Sequence, residues 1–233
     1  MQKNMAFWQT LGKSRDAMKH TSITLLTLTA AASFAQSAPA AAPAFTTSGN
    51  LAFTSDYVWR GDTQNAGKSA IQGGFDVSHS SGLSAGIWAS NVSYGTASLE
   101  VDVYANYGIK LGAIDASVGY IAYAYEGNSS ENFEEVNVAA TYAGLTLKAS
   151  KGIAGDKNSS DIYFEANYSY DVAAVKGLNV GLHYGNDRAD KAGNRNDYAA
   201  SVSYPVLGFI GTVSYSDKQG ADDITAVTLK KTF

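Results

Sequence analysis

The chain has 233 residues with 17 Lys and Arg, 21 Asp and Glu, and no Cys. That length suits one domain of ordinary size, and the missing thiols exclude disulfide frameworks and thiolate metal sites. The first 35 residues carry Lys3, Lys13, Arg15 and Lys19 against Asp16, so the rest of the chain is acidic and lacks the clustered Lys and Arg that hold nucleic-acid phosphates.

The N-terminus reads as an address. Ile23 to Phe34 is a small, apolar run preceded by Lys19 and His20, and Ser33-Phe34-Ala35 matches a small-x-small cleavage site. Residues 1–35 are therefore expected to be a signal peptide, with Gln36 opening the mature chain. Met18-Lys19 reads as a better start than Met1. The run falls short of the roughly 20 apolar residues of a spanning helix, and no later segment reaches that length. Residues 36–48, Ala- and Pro-rich from Ser37 to Pro43, are expected to be a flexible lead-in.

From Gly49 to Phe233 the pattern predicts an all-β, transmembrane, antiparallel up-and-down β-barrel of about twelve strands. Leu99, Val101, Val103, Ala105, Tyr107 and Ile109 alternate with Glu100, Asp102, Tyr104, Asn106 and Gly108, and a strand puts these sets on opposite faces. Ile162 to Tyr170 and Leu178 to Tyr184 repeat the alternation. The mean hydropathy of −0.14 hides it, because apolar and polar faces cancel. The expected strands are 49–60, 70–79, 83–92, 98–109, 113–125, 132–142, 145–151, 161–170, 178–186, 197–204, 208–216 and 223–233. The shorter runs leave ten strands as the alternative count. Odd connections such as Gly61–Ser69, Gly152–Ser160 and Asp187–Asn196 are polar and long. Even ones such as Ser80-Ser81-Gly82 and Ala143-Gly144 are generally tight, with Asp171–Gly177 the exception. Long loops on one side and short turns on the other is the layout of outer-membrane barrels, which a soluble β-sandwich has no reason to adopt.

With the apolar face outward, Tyr107, Tyr142, Tyr168, Tyr170, Tyr204, Phe209 and Phe233 fall at the short-turn ends. Tyr57, Trp59, Tyr184, Tyr198 and Tyr215 fall at the long-loop ends. Two aromatic girdles are expected at the two membrane–water interfaces. The terminal Phe233 resembles the assembly signal that bacterial outer-membrane barrels present to the barrel assembly machinery. Outer-membrane lipid is the expected surrounding.

Residues 49–92 resemble a proteobacterial family of TorF-like porins. The carrying residues are Thr54-Ser55-Asp56-Tyr57-Val58 and Arg60-Gly61, then Ala70-Ile71-Gln72-Gly73-Gly74-Phe75-Asp76 and Gly86-Ile87-Trp88-Ala89-Ser90-Asn91-Val92. Beyond that stretch the likeness is barrel periodicity and Phe233. The resemblance implies an outer-membrane barrel with pore activity and carries no site residue over.

By parity the inward charges are Asp56, Arg60, Asp76, Glu100, Asp102, Asp115, Lys148, Glu165 and Asp197, together with Glu135, Asp161 and Lys230. These are the expected pore-lining groups. Twelve strands tilted by about 40° enclose a backbone diameter of roughly 24 Å, and side chains reduce the free width to about 10 Å or less. That width suits ions and small polar solutes, and an acidic lining favours cations. The competing reading is a filled barrel in which Arg60, Asp76 and Asp102 pair across the lumen and Trp88 and Tyr104 occupy space. A non-conducting structural or adhesive barrel is the functional alternative.

No catalytic residue, metal ligand or cofactor site is expected. His79 and His183 are the histidines left after cleavage, and a barrel lipase needs a Ser–His pair on the outer face with a third polar partner. Asp187 and Asp190 at the loop rim lack the His of a barrel protease. Asp156-x-Asn158-x-Ser160 mimics the start of a calcium loop, but Asp161 replaces the Gly of its sixth position and Asn167 the Glu of its twelfth.

Overall fold

The computed structural model describes residues 44–155, 161–189 and 193–233. The expected signal peptide, the Met18 start, the lead-in up to residue 43, the Asp156–Ser160 segment and Asp190 lie outside the described residues.

Twelve strands form one closed antiparallel barrel. They are β1 (Phe45–Thr54), β4 (Ala70–His79), β5 (Leu83–Tyr94), β6 (Ala97–Leu111), β7 (Ile114–Glu126) and β8 (Phe133–Tyr142), followed by β9 (Leu145–Ala154), β10 (Ile162–Asp171), β11 (Asn179–Ala189), β12 (Gly193–Val206), β13 (Phe209–Lys218) and β14 (Ile224–Thr232). Between β1 and β4 lies a separate small hairpin of β2 (Val58–Trp59) and β3 (Asp62–Thr63). Each barrel strand pairs with its sequence neighbours. The cylinder closes where β1 pairs with β14, so no strand edge is left open. A ten-residue strand tilted about 40° rises about 26 Å, the height of a bilayer's hydrocarbon core.

Turn chemistry fixes the register on the tight side. Ala143-Gly144 has φ of 48° and 86°, and Leu207-Gly208 has 50° and 81°. Two successive left-handed residues make the two-residue turn whose twist matches paired antiparallel strands, and Gly takes the second position without strain. On the other side 55–69, 127–132 and 219–223 are longer, but β5 and β6 are joined through Gly95-Thr96, and the expected loop Asp187–Asn196 is mostly strand, because β11 and β12 stay paired out to Ala189 and Gly193.

The two faces separate as the alternation requires. On β6, Val103 is 54 % exposed and points outward, whereas Asp102 beside it is 0 % exposed. Tyr107, Tyr142, Tyr168, Tyr170, Tyr204 and Phe233 stand exposed at the short-turn end, and Tyr184, Tyr198 and Tyr215 at the other. The outer wall between them is covered by Val, Ile and Leu side chains such as Ile87, Val118, Val138, Leu147 and Leu182. A soluble protein does not leave an apolar belt this continuous facing water.

Several strands run past their expected ends, β9 to Ala154, β11 to Ala189, β12 from Gly193 to Val206 and β13 to Lys218, and β1 differs at both of its ends. β1 begins at Phe45, four residues into the expected lead-in, because Phe45 to Ser48 find a ladder against His79 to Asp76 of β4. At its other end β1 stops at Thr54 rather than running to residue 60. The Thr54 hydroxyl donates to the Asp56 carbonyl at 2.8 Å, a local bond that competes with the ladder and turns the chain inward.

That inward turn corrects the aromatic placement. Tyr57 and Trp59 are not girdle residues. Tyr57 is 2 % exposed and packs inside the barrel with Trp88, Ile121, Tyr123, Tyr125 and Phe133, while Trp59 packs against the same cluster. Period-two alternation fails here because 55–69 is not a wall strand and its parity does not refer to the barrel faces.

Candidate functional site

The site is the lumen with the segment 55–69 folded into it. The tip of the β2–β3 hairpin is Arg60-Gly61, with φ of 47° and 78°. Left-handed backbone at a residue with a side chain costs about 1–2 kcal/mol, and such strain persists only where the surroundings impose it. The surroundings here are strong. Arg60 Nη2 donates to both carboxylate oxygens of Glu135 on β8 at 2.8 Å. Its guanidinium also lies 4.2 Å from the Trp59 ring centroid and 4.1 Å from that of Tyr163 on β10. Burial works against the Arg60 charge, but the adjacent Glu135 carboxylate more than offsets it, so the guanidinium is held above its ordinary pKa.

These contacts place the hairpin across the lumen. β8 and β10 flank β9, the strand diametrically opposite β1 in the barrel order. Lys218 of β13 binds Asp62, and a Cβ on Gly61 would come within 2.8 Å of the Lys218 Cβ and 2.9 Å of the Asp197 Cβ. Near its start the segment is fixed to the β5–β6 wall. Tyr57 stacks edge-on with Trp88 at 5.4 Å, and its hydroxyl donates to Glu100 Oε1 at 3.3 Å. The return limb is tied down by Asn65 Nδ2, which donates to the carbonyls of Lys68 and Ser69. The segment therefore runs from wall to wall.

The nine expected pore-lining residues fall into different settings. Asp56 is buried within the inserted segment and accepts from the Thr63 hydroxyl at 2.7 Å. Arg60 is the hairpin tip. Asp76 of β4 accepts from the Tyr104 hydroxyl at 2.6 Å. Glu100 and Asp102 lie side by side on β6 beneath Tyr57, and both Asp102 oxygens and Glu100 Oε2 have no hydrogen-bond partner. Lys148 and Glu165 form a buried pair at 2.9 Å across β9 and β10. Asp197 of β12 accepts from the Tyr163 hydroxyl and lies 2.8 Å from His183 Nε2. Asp115 stands apart: it pairs with Lys110 at 2.8 Å at the short-turn rim, where both side chains are largely exposed. The expected pairing of Arg60, Asp76 and Asp102 does not form, because Arg60 sits at the far wall with Glu135. Lys230 stands on β14, whose partner β1 separates it from β4.

Sequence reasoning missed Asp62, Gln64, Asn65 and Lys218. Lys218 lay past the expected end of its strand, and the other three read as ordinary loop polarity. Their one signal was Arg60-Gly61 itself, a residue pair suited to a two-residue hairpin. His183 is held by Asn167, Tyr163 and Asp197 inside the barrel. That is a closed polar network with no hydroxyl nucleophile from Ser. No group of three or more His, Asp or Glu able to hold a metal occurs among the described residues.

Comparison with known proteins agrees with this architecture. A family model described as "Bacterial protein of unknown function (Gcw_chp)" matches residues 37–231. No curated protein matches the sequence. Among solved structures, the one named "KdgM porin" superposes with a TM-score of 0.58 at 11 % identity, covering 80 % of this chain and 98 % of that one. A membrane-protein structure reported under "Unveiling the Mechanism Behind the in-meso Crystallization of Membrane Proteins" gives a TM-score of 0.57 at 10 % identity, covering 80 % and 83 %. The fold shared with these structures is the closed antiparallel β-barrel.

Proposed function

The chain belongs to the Gcw_chp family of bacterial proteins, and within that family we propose that it is an outer-membrane, porin-like channel for passive diffusion of small polar solutes, with a preference for cations. The observation that carries this reading is the pairing of an apolar outer belt with a polar, charged inner wall in a closed barrel. A filled structural barrel has little reason to line itself with Asp76, Glu100, Asp102, Glu135, Glu165 and Asp197, since each buried charge is costly unless compensated. Acidic groups outnumber Arg60, Lys148, Lys218 and Lys230, which favours cation entry. The similarity to a structure named as a porin and the TorF-like resemblance of residues 49–92 point the same way. Export through a cleaved signal peptide, delivery by the barrel assembly machinery through Phe233, and the lack of an enzymatic role complete the proposal.

The inserted segment 55–69 acts in this reading as the constriction. It also favours one second reading, a barrel that does not conduct while the hairpin is docked and serves a structural or adhesive role. Planar-bilayer recordings of the refolded protein in a KCl gradient separate them. Discrete conductance with a cation-selective reversal potential supports the channel. Anion selectivity overturns the cation preference, and silence in both wild type and a chain lacking residues 57–66 overturns transport.

A further inference from the structure

The carboxylates of Glu100 and Asp102 occupy an unusual position. They are alternate residues on β6, so both point inward and they are immediate neighbours. Asp102 is 0 % exposed and Glu100 is 1 % exposed. Their cross-strand neighbours are Ser90 and Trp88 on β5 and Tyr125 and Tyr123 on β7, with Tyr57 packed against Trp88, so rings supply most of the setting and Ser90 is the polar neighbour. Three of their four oxygens, Glu100 Oε2 and both of Asp102, are buried with no hydrogen-bond partner. Two adjacent carboxylates in such a place are neutralised by a shared proton, a basic side chain or a bound cation.

Among the described residues no basic side chain neutralises the pair. Arg60 is engaged by Glu135, Lys218 by Asp62, and Lys148 by Glu165. Lys230 is on β14, which β1, β4 and β5 separate from β6 in the barrel order. The oxygens present are of the kind a hard cation selects. The two carboxylates offer four, and the Tyr57 hydroxyl touches Glu100 Oε1. Ca²⁺ takes six to eight oxygens and accepts carboxylates in one- or two-oxygen mode, so these groups make up most of such a shell.

We propose that Glu100 and Asp102, beneath the inserted segment, bind a divalent oxygen-seeking cation of the Ca²⁺ type. The cation neutralises the pair and, through the Tyr57–Glu100 contact, anchors the base of the inserted hairpin to the β5–β6 wall. The site does not require the barrel to conduct. It is a fixed binding site and stands or falls separately from the channel reading.

The test uses the refolded full barrel in detergent with Tb³⁺ as the Ca²⁺ substitute. Trp88 is the direct cross-strand neighbour of Asp102, and Tyr57 stacks on Trp88, so energy transfer from the rings to a bound lanthanide is efficient. The expected result is saturable Tb³⁺ emission on aromatic excitation, displaced by Ca²⁺. Emission should fall at least about tenfold in Asp102→Asn and Glu100→Gln, and persist in Asp76→Asn, whose carboxylate already has a donor. Sensitised emission that survives both carboxamide variants overturns the site, as does its absence in the wild type. Calorimetric titration of the unmodified barrel with CaCl₂ needs no variant: one site per chain is expected, and no heat of binding overturns the proposal. A pair that shares a proton instead of a cation gives that second outcome. Bilayer conductance is recorded on the same preparation, so a silent channel with intact Tb³⁺ binding counts against transport alone.

Discussion

Replacing Arg60 with Ala probes whether the hairpin is held across the lumen by one ion pair. Arg60 and Glu135 meet at 2.8 Å with side chains only 10 % and 5 % exposed. Removing one partner of a buried pair costs about 3–5 kcal/mol, because the other charge is left uncompensated. Loss of the stacking on Trp59 and Tyr163 adds about 1 kcal/mol. Taking the lower end, since the lumen admits water, about 3 kcal/mol shifts the docked-to-withdrawn equilibrium of segment 55–69 by more than a hundredfold. The barrel wall is unaffected, since its strands pair independently of the hairpin. Single-channel recording should therefore show larger or longer openings in Arg60→Ala, and the heat-modifiable mobility of the folded barrel should be retained. Adding Glu135→Gln removes the stranded charge, so the double variant should be more stable than Arg60→Ala alone while keeping its open behaviour. Conductance and protease sensitivity of residues 55–69 both indistinguishable from wild type would falsify the argument that this pair sets the constriction.

Three further outcomes follow from specific contacts. Gly61→Val adds a Cβ within 3 Å of the Lys218 and Asp197 Cβ atoms and imposes a side chain at φ 78°, so it should undock the hairpin tip and mimic Arg60→Ala in bilayer recordings. Gly185→Ala places a Cβ 2.0 Å from the Tyr163 hydroxyl and 2.3 Å from Asp197 Oδ2, and it should lower the unfolding free energy by about 1–3 kcal/mol in urea titrations in lipid vesicles. Val138→Arg, on the outer face of β8 at 57 % exposure, should cost about 2–4 kcal/mol of folding free energy in vesicles. Asn137→Arg, one residue away on the inner face, should cost far less, and equal penalties would contradict the assignment of faces.

The barrel wall was legible in the chain itself. Leu99 to Ile109 alternate because one face of β6 meets lipid and the other meets the lumen, and period two transmits that difference directly into residue order. The same rule placed Glu100, Asp102, Glu165 and Asp197 on the inner wall, and Tyr184 and Tyr198 on the outer. The constriction was not legible, because parity describes only residues that belong to the wall. Tyr57 and Trp59 continue the apolar alternation of β1, yet they point to neither face, since the chain leaves the sheet after Thr54. Which partners meet across the lumen depends on closure: Arg60 and Glu135 are 75 positions apart and touch only because β8 curves round opposite β1. Local alternation thus determined which side of the wall each strand residue takes. Closing the cylinder decided which charges are paired, which segment crosses the lumen, and that Glu100 and Asp102 face no basic side chain among the described residues.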